Sequence, residues 1–240
     1  TKNDLEAFSE EGILPALPPT VAVPLVHEHR RTPERPLIEP PARPYLLCVG
    51  PHTGRKNVEA IFEALRVLEA AGKSMPLVVL AGTPRKQIRK LLGHGKYQAI
   101  RSAVTFVPDP NQADLQRLYE GALALVIPSR MEGWGLPAGE ALWHGSPVIA
   151  ATAPVLKEVC GDLALYFDPD DAEQLATHVA TLMDDEGYRT ELRTRISERR
   201  QSLRTWSDFA REVLNAVESA EGLPLSGQAD GGKTKAVGGP

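Results

Sequence analysis

The chain has 240 residues, 42% of them apolar and 24% charged, with a formal net charge of −4. That length can bury a full core and hold one large or two small domains, and the composition is that of a soluble globular protein. The mild negative charge and the 5% aromatic content give no sign of a nucleic-acid partner, which would need basic patches or stacking platforms.

The first 44 residues differ from the rest. Leu5, Glu6, Ala7 and Phe8 read as the end of a helix. Pro15, Pro18 and Pro19 then precede a short strand-like run from Val21 to Leu25, and a second proline-rich stretch covers 33–44. Proline lacks a donor and cannot pair regularly, so such stretches mark a linker or an edge between modules. From Tyr45 the pattern becomes regular. Strands are predicted at 45–50, 77–81, 103–107, 122–127, 147–151 and 164–167. Helical periodicity separates them at 57–71, 84–92, 112–120 and 137–144, and continues at 171–184, 187–200 and 205–218. Near-continuous apolar strands alternating with helices predict an α/β fold, a doubly wound parallel sheet. The tail from Gly222, rich in Gly, Ser and Lys, has no periodicity and reads as disordered. The expected division is therefore 1–44, 45–220 and 221–240.

Cys48 and Cys160 lie in or beside apolar segments and read as small core residues rather than ligands or a disulfide, which fits a reducing cytoplasm. No apolar run approaches the roughly 18 residues of a membrane span, and the start, Thr1-Lys2-Asn3-Asp4, has no signal-peptide pattern. Any membrane association is expected to be peripheral, at the inner membrane face.

The segment Glu132-Gly133-Trp134-Gly135-Leu136-Pro137-Ala138-Gly139-Glu140 carries the strongest chemical signal. It follows the apolar strand at 122–127, so its glycines sit at a strand's carboxyl end, where open α/β sheets bind ligands. Gly133 and Gly135 let the backbone approach a ligand, and Pro137 suits the first position of a helix. A helix start offers free N–H groups and the positive end of the macrodipole, which suits a diphosphate. Glu132 and Glu140 flank that cradle as acceptors, better matched to hydroxyls than to phosphate. Alone, two glutamates near a helix start would mean only favourable first-turn charge on a solvated face. A second loop, Gly50-Pro51-His52-Thr53-Gly54-Arg55-Lys56-Asn57, also joins a strand to a helix. Arg55 offers a planar fork and Lys56 a point charge for a diphosphate, and Asn57 reads as the helix cap.

Together these residues resemble the family 4 glycosyltransferases, the retaining GT-B enzymes that use nucleotide-diphosphate sugars. The resemblance rests on Glu132 to Val148, including Gly145 and Pro147, and on Val49-Gly50 before Arg55-Lys56-Asn57. Val104 to Pro108 before the helix with Leu115, Leu118 and Tyr119, then Glu158 to Asp162 and Phe167-Asp168-Pro169, follow in family order. It covers residues 45–218 and implies a Rossmann-like C-terminal donor domain, with the N-terminal acceptor domain mostly missing and residues 1–25 resembling its last helix and crossover strand. It further implies that Arg55 and Lys56 neutralise the diphosphate, that Glu132 faces the transferred sugar, and that Glu140 holds the ribose hydroxyls. The amides of Trp134, Gly135 and Leu136 would contact sugar or phosphate, beside Gly50 and Gly133, and Val107 would line the base pocket. No metal and no resident cofactor are implied; the donor, a GDP- or UDP-sugar with GDP-mannose favoured, is a substrate, and the acceptor is a glycan or lipid-linked molecule met by the missing half. The fragment alone is expected not to turn over. Two departures stand out: Pro51 replaces an arginine common after the glycine, and Trp143-His144 replaces small residues and reads as core packing.

Two rival classes are a nucleotide-sugar epimerase or dehydrogenase, and a non-catalytic nucleotide-sugar-binding module. A hydride enzyme would carry Gly-x-Gly-x-x-Gly after the first strand, and Gly50 begins no such run. Intact Arg55, Lys56, Glu132 and Glu140 argue against a degenerate module.

Overall fold

The structure is a computed structural model that describes residues 2–18, 20–30, 33–50, 54–83 and 85–221. In chain order the elements are α1 (Lys2–Glu10), β1 (Tyr45–Val49), α2 (Val58–Ala70), β2 (Leu77–Ala81), α3 (Arg85–Leu92), β3 (Val104–Val107), α4 (Gln112–Gly121), β4 (Ala124–Ile127), α5 (Leu136–Trp143), β5 (Val148–Ala151), α6 (Pro154–Cys160), β6 (Ala164–Phe167), α7 (Ala172–Asp184), α8 (Glu186–Glu198) and α9 (Trp206–Glu221). The chain divides into two compact units. One spans Leu25–Thr205; the other comprises the described residues of Thr1–Pro24 and Trp206–Pro240.

In the larger unit six strands form one sheet in the order β3-β2-β1-β4-β5-β6, every pair parallel. The chain winds outward from β1 through β2 to β3, then returns beside β1 as β4 and winds the other way. The order reverses between β1 and β4, so a crevice opens outside their carboxyl ends. The loops after those two strands are the two loops singled out in the sequence.

Alternating side chains feed two cores. Leu46 and Cys48 of β1, with Val78, Leu80, Val126 and Ile149, face one way and pack with Ile61, Phe62 and Leu65 of α2 and Leu175 and Val179 of α7. Tyr45 and Leu47, with Val79, Leu125 and Ala150, face the other way and meet Leu118 and Tyr119 of α4, Ala138 and Leu142 of α5 and Leu156 of α6. Burial on both faces is why the strands read as continuous apolar runs.

One local reading is corrected and two features are added. Residues 21–25 form no strand, because Pro24 lacks a donor and no partner edge pairs with them. Residues 154–160 form α6, unforeseen because it is only seven residues long and Pro154, which reads as a break, stands at its start where a missing N–H costs nothing. The proline-rich stretch at 33–44 packs onto the larger unit: the N–H groups of Leu37 and Ile38 donate to the buried Asp114 carboxylate at 2.6 and 3.0 Å. The same carboxylate closes a capping box with Asn111 at the start of α4. The tail at 222–240 lies outside the described residues. Among the described residues no helix is long and apolar enough to cross a membrane.

Candidate functional site

The loop after β1 begins with Gly50 at φ 98°, a left-handed value that glycine adopts without steric cost. Its N–H donates to the Ala81 carbonyl and its own carbonyl accepts from the Thr83 hydroxyl, at 2.8 and 2.7 Å. Pro51, His52 and Thr53 lie outside the described residues. A 3-10 turn at Gly54–Lys56 then presents Arg55, exposed, and Lys56, half-buried. Asn57 stands at the cap position of α2, as the sequence suggests, yet its side chain does not cap the helix. At φ 52° it turns away and its amide donates to the Pro169 carbonyl at 2.9 Å, tying the loop after β1 to the one after β6.

The loop after β4 lies against this turn. The Arg130 N–H donates to the Arg55 carbonyl at 2.9 Å, and the Lys56 ammonium donates to Glu132 Oε1 at 2.6 Å. Two expected site residues from loops 76 positions apart are thus ion-paired. The Arg55 guanidinium has no carboxylate partner among the described residues.

Gly135, at φ 93°, is the N-cap of α5, and Pro137 occupies its first turn. Among the described residues the N–H groups of Gly133, Trp134, Gly135 and Leu136 donate to no other group. Gly135 and Leu136 are unpaired donors of a helix start, partially positive and open to an anion, and Gly133 and Trp134 add two loop donors just before the cap. Beside them the buried Ser129 hydroxyl and the Trp134 indole N–H also lack partners. Buried polar groups in folded proteins are nearly always paired, so these two orphans on neighbouring segments after β4 stand out.

Glu140 lies within α5, half-buried, and its Oε2 accepts from the Tyr119 hydroxyl at 2.7 Å. In the sequence Tyr119 is a helix residue that helps to carry the resemblance, with no site role signalled. The phenol is fully buried; burial, then the Glu140 charge and the hydrogen bond to it, push its pKa well above the ordinary value, so it remains a donor. Trp143 packs on the core with the Arg200 guanidinium 5.2 Å from its ring, and His144 stacks on Tyr119, so both of these unusual residues are packing groups. Val107 ends β3 with its carbonyl engaged by the Gly82 N–H at 2.8 Å. It is two strands from β1, about 10 Å along the same carboxyl edge. The expected residues thus lie in three places: Gly50, Arg55, Lys56, Glu132 and the 133–136 amides around the two loops of the switch point, Glu140 on α5 against Tyr119, and Val107 to one side. Among the described residues no group of three or more His, Cys, Asp or Glu could hold a metal ion.

The family model described as "Glycosyl transferases group 1" matches residues 30–202. The chain belongs to this family. It is 29% identical over 177 residues to the O-antigen chain mannosyltransferase B of Escherichia coli, covering 72% of this chain and 45% of that protein. To the O-antigen chain mannosyltransferase RfbU of Salmonella typhimurium it is 32% identical over 129 residues, covering 53% of this chain and 35% of that protein. Among solved structures, sucrose-phosphate synthase from Thermosynechococcus elongatus superposes with a TM-score of 0.66 at 26% identity, covering 76% of this chain and 47% of that one. This chain therefore spans less than half the length of each of these relatives. The matched region contains the whole sheet and both loops at its switch point, together with residues 30–44 that the sequence pattern set apart.

Proposed function

We propose that residues 25–205 are the donor-binding half of a retaining glycosyltransferase. It transfers a hexose, of the mannose type, from a nucleotide-diphosphate sugar to a glycan or lipid-linked acceptor. The observation that carries this reading is the Lys56–Glu132 ion pair at the switch point, followed directly by the unpaired amides of 133–136 that lead into α5. The mannosyltransferase relatives support the choice of sugar, and GDP as the carrier rests on the sequence resemblance alone.

On this reading the diphosphate takes the 133–136 amides and the exposed Arg55 guanidinium. Lys56 sits between the phosphates and Glu132, and Glu132 accepts from the hydroxyls of the transferred sugar. The bond between the sugar's anomeric carbon and the phosphate oxygen breaks with its electron pair going to that oxygen. The acceptor hydroxyl oxygen forms the new bond on the same face, and its proton passes to the departing phosphate. Fixed donors aimed at the oxygen where charge develops lower the barrier without a metal. Because the chain aligns with less than half of each relative, binding is assigned to these residues and transfer to the longer protein.

Titration calorimetry with GDP, UDP and GDP-mannose tests the reading. Saturable binding of one of them, weakened about 10-fold or more in Glu140→Ala through loss of charge-assisted hydrogen bonds, is the expected result. A folded sample that takes up none of the three at millimolar concentration overturns it.

A further inference from the structure

Resting on the donor-site reading, we infer that Tyr119 is a positioning residue that fixes the Glu140 carboxylate to receive a ribose diol. The neighbouring Tyr45 gives the contrast. Its hydroxyl donates to a backbone carbonyl, that of Leu118, at 2.7 Å. This is the usual way a buried tyrosine is satisfied. Tyr119, one residue further along, donates instead to a carboxylate on another helix, 21 positions away and within the ligand-edge motif.

The geometry suits the task. A glutamate has three rotatable bonds, and ordering it on a ligand costs entropy unless something holds it beforehand. The Tyr119 hydroxyl holds Oε2 of Glu140 at 2.7 Å. No hydrogen bond engages Oε1 among the described residues. The held carboxylate thus keeps one free oxygen and the spare lone pair of the other, an acceptor pair matched to two adjacent hydroxyls.

Tyr119 cannot swing away. Its ring stacks on His144 at 5.7 Å and 10°, and the edge of His29 meets it at 6.0 Å. The two histidines are joined through ring nitrogens 2.8 Å apart, and the second nitrogen of His29 meets the Gln112 side-chain carbonyl. Glu120 lies 3.6 Å from the remaining nitrogen of His144. Residues from α4, α5 and the segment at 25–30 therefore clamp the phenol, and the clamp sets the direction of a carboxylate on α5.

The test compares Tyr119→Phe with the unsubstituted chain, using GDP and UDP and their 2′,3′-dideoxy forms. Calorimetry should give a ribo-over-dideoxy preference of about 10-fold or more in the unsubstituted chain. Tyr119→Phe should cut that ratio at least 3-fold while leaving the dideoxy affinity unchanged. An unchanged ratio, or equal losses for both forms, makes the hydroxyl merely structural and overturns the inference. If the unsubstituted chain binds nucleotide without preferring ribose, the inference fails while the donor site stands; if it binds none, both fail. A second measurement needs no change at position 119. With 13Cζ-labelled tyrosine, the resonance that moves in Glu140→Gln marks Tyr119, and it should shift with the ribonucleotide but not with its dideoxy form. The same response to both forms overturns the inference.

Discussion

Lys56 Nζ lies 2.6 Å from Glu132 Oε1, with only 18% and 6% of the two side chains exposed. The pair joins the loops after β1 and β4, so it has a structural share as well as a place at the crevice. Removing one partner of a buried pair leaves an uncompensated charge, whereas replacing both with neutral groups avoids that penalty. Lys56→Met or Glu132→Gln alone should lower stability by about 1–3 kcal/mol, with the remaining exposure of Lys56 holding the loss below that of a fully buried pair. The double variant should recover much of it. Urea unfolding of the four proteins measures the coupling, and additive losses would show that the pair contributes nothing to the fold. Arg55→Ala, at an exposed position, should stay within about 0.5 kcal/mol of the unsubstituted chain.

Gly133 and Gly135 look alike in the sequence but not in space. At Gly133 a Cβ would meet nothing within 4 Å, and its φ is not left-handed. At Gly135 φ is 93° and a Cβ would come within 2.7 Å of Leu156 Cδ2 on α6. Alanine there must adopt a conformation that costs about 1–2 kcal/mol and also displace a packed leucine. Gly135→Ala should therefore lower the melting temperature by several degrees, and Gly133→Ala should leave it nearly unchanged. Equal melting temperatures would contradict the strain assigned to Gly135.

The contrast between these glycines also marks how far the sequence could be read. Continuous apolar runs set between segments of helical periodicity revealed the six strands, and the position of 132–140 after a buried strand put the motif at a ligand edge. Spacing along one loop also put Arg55 and Lys56 side by side. It could not pair Lys56 with Glu132, because that contact depends on β1 and β4 being neighbours, a feature of strand order. Tyr119 was hidden for the same reason: on its own helix it is one more apolar position, and only α5 packing beside α4 gives its hydroxyl a carboxylate. The packing of the proline-rich stretch was not legible either, because proline content reports the absence of regular pairing and is silent on packing. Leu37 and Ile38 are held by one buried aspartate, Asp114, whose partners lie 77 and 76 residues away.

Cys48 and Cys160 are both free and buried, and they belong to opposite faces of the sheet. Burial pushes both thiols up, Cys160 to about 12 and Cys48 further. The thiolate is the reactive form, so at pH 8 almost none is present, and access is blocked as well. A thiol reagent such as Ellman's should titrate neither cysteine in the folded chain and both in guanidinium chloride. Rapid reaction of one under native conditions would place it nearer the surface than this packing allows.

His27 should make the fold sensitive to mild acid. Its Nε2 donates to the Val159 carbonyl at 2.9 Å and its Nδ1 accepts from the Arg204 N–H at 3.1 Å, so the neutral ring is satisfied on both sides. Burial lowers its pKa below the ordinary 6.5; the hydrogen bond to Val159 opposes that, and the nearby Arg204 charge adds to it. The unfolded chain therefore takes up a proton near pH 6.5 that the folded chain refuses until lower pH. Stability from this site is fully present above pH 6.5 and declines as pH falls through the window between 6.5 and the depressed value. His27→Leu should cost stability at every pH by losing both hydrogen bonds, but its melting temperature should fall less steeply between pH 7.5 and 5.5 than that of the unsubstituted chain. Other histidines titrate in both proteins, so the difference between the two slopes is the measurement that counts. Parallel slopes would mean that His27 takes up its proton at the same pH in the folded and unfolded chains, which contradicts a buried ring held neutral by its two hydrogen bonds.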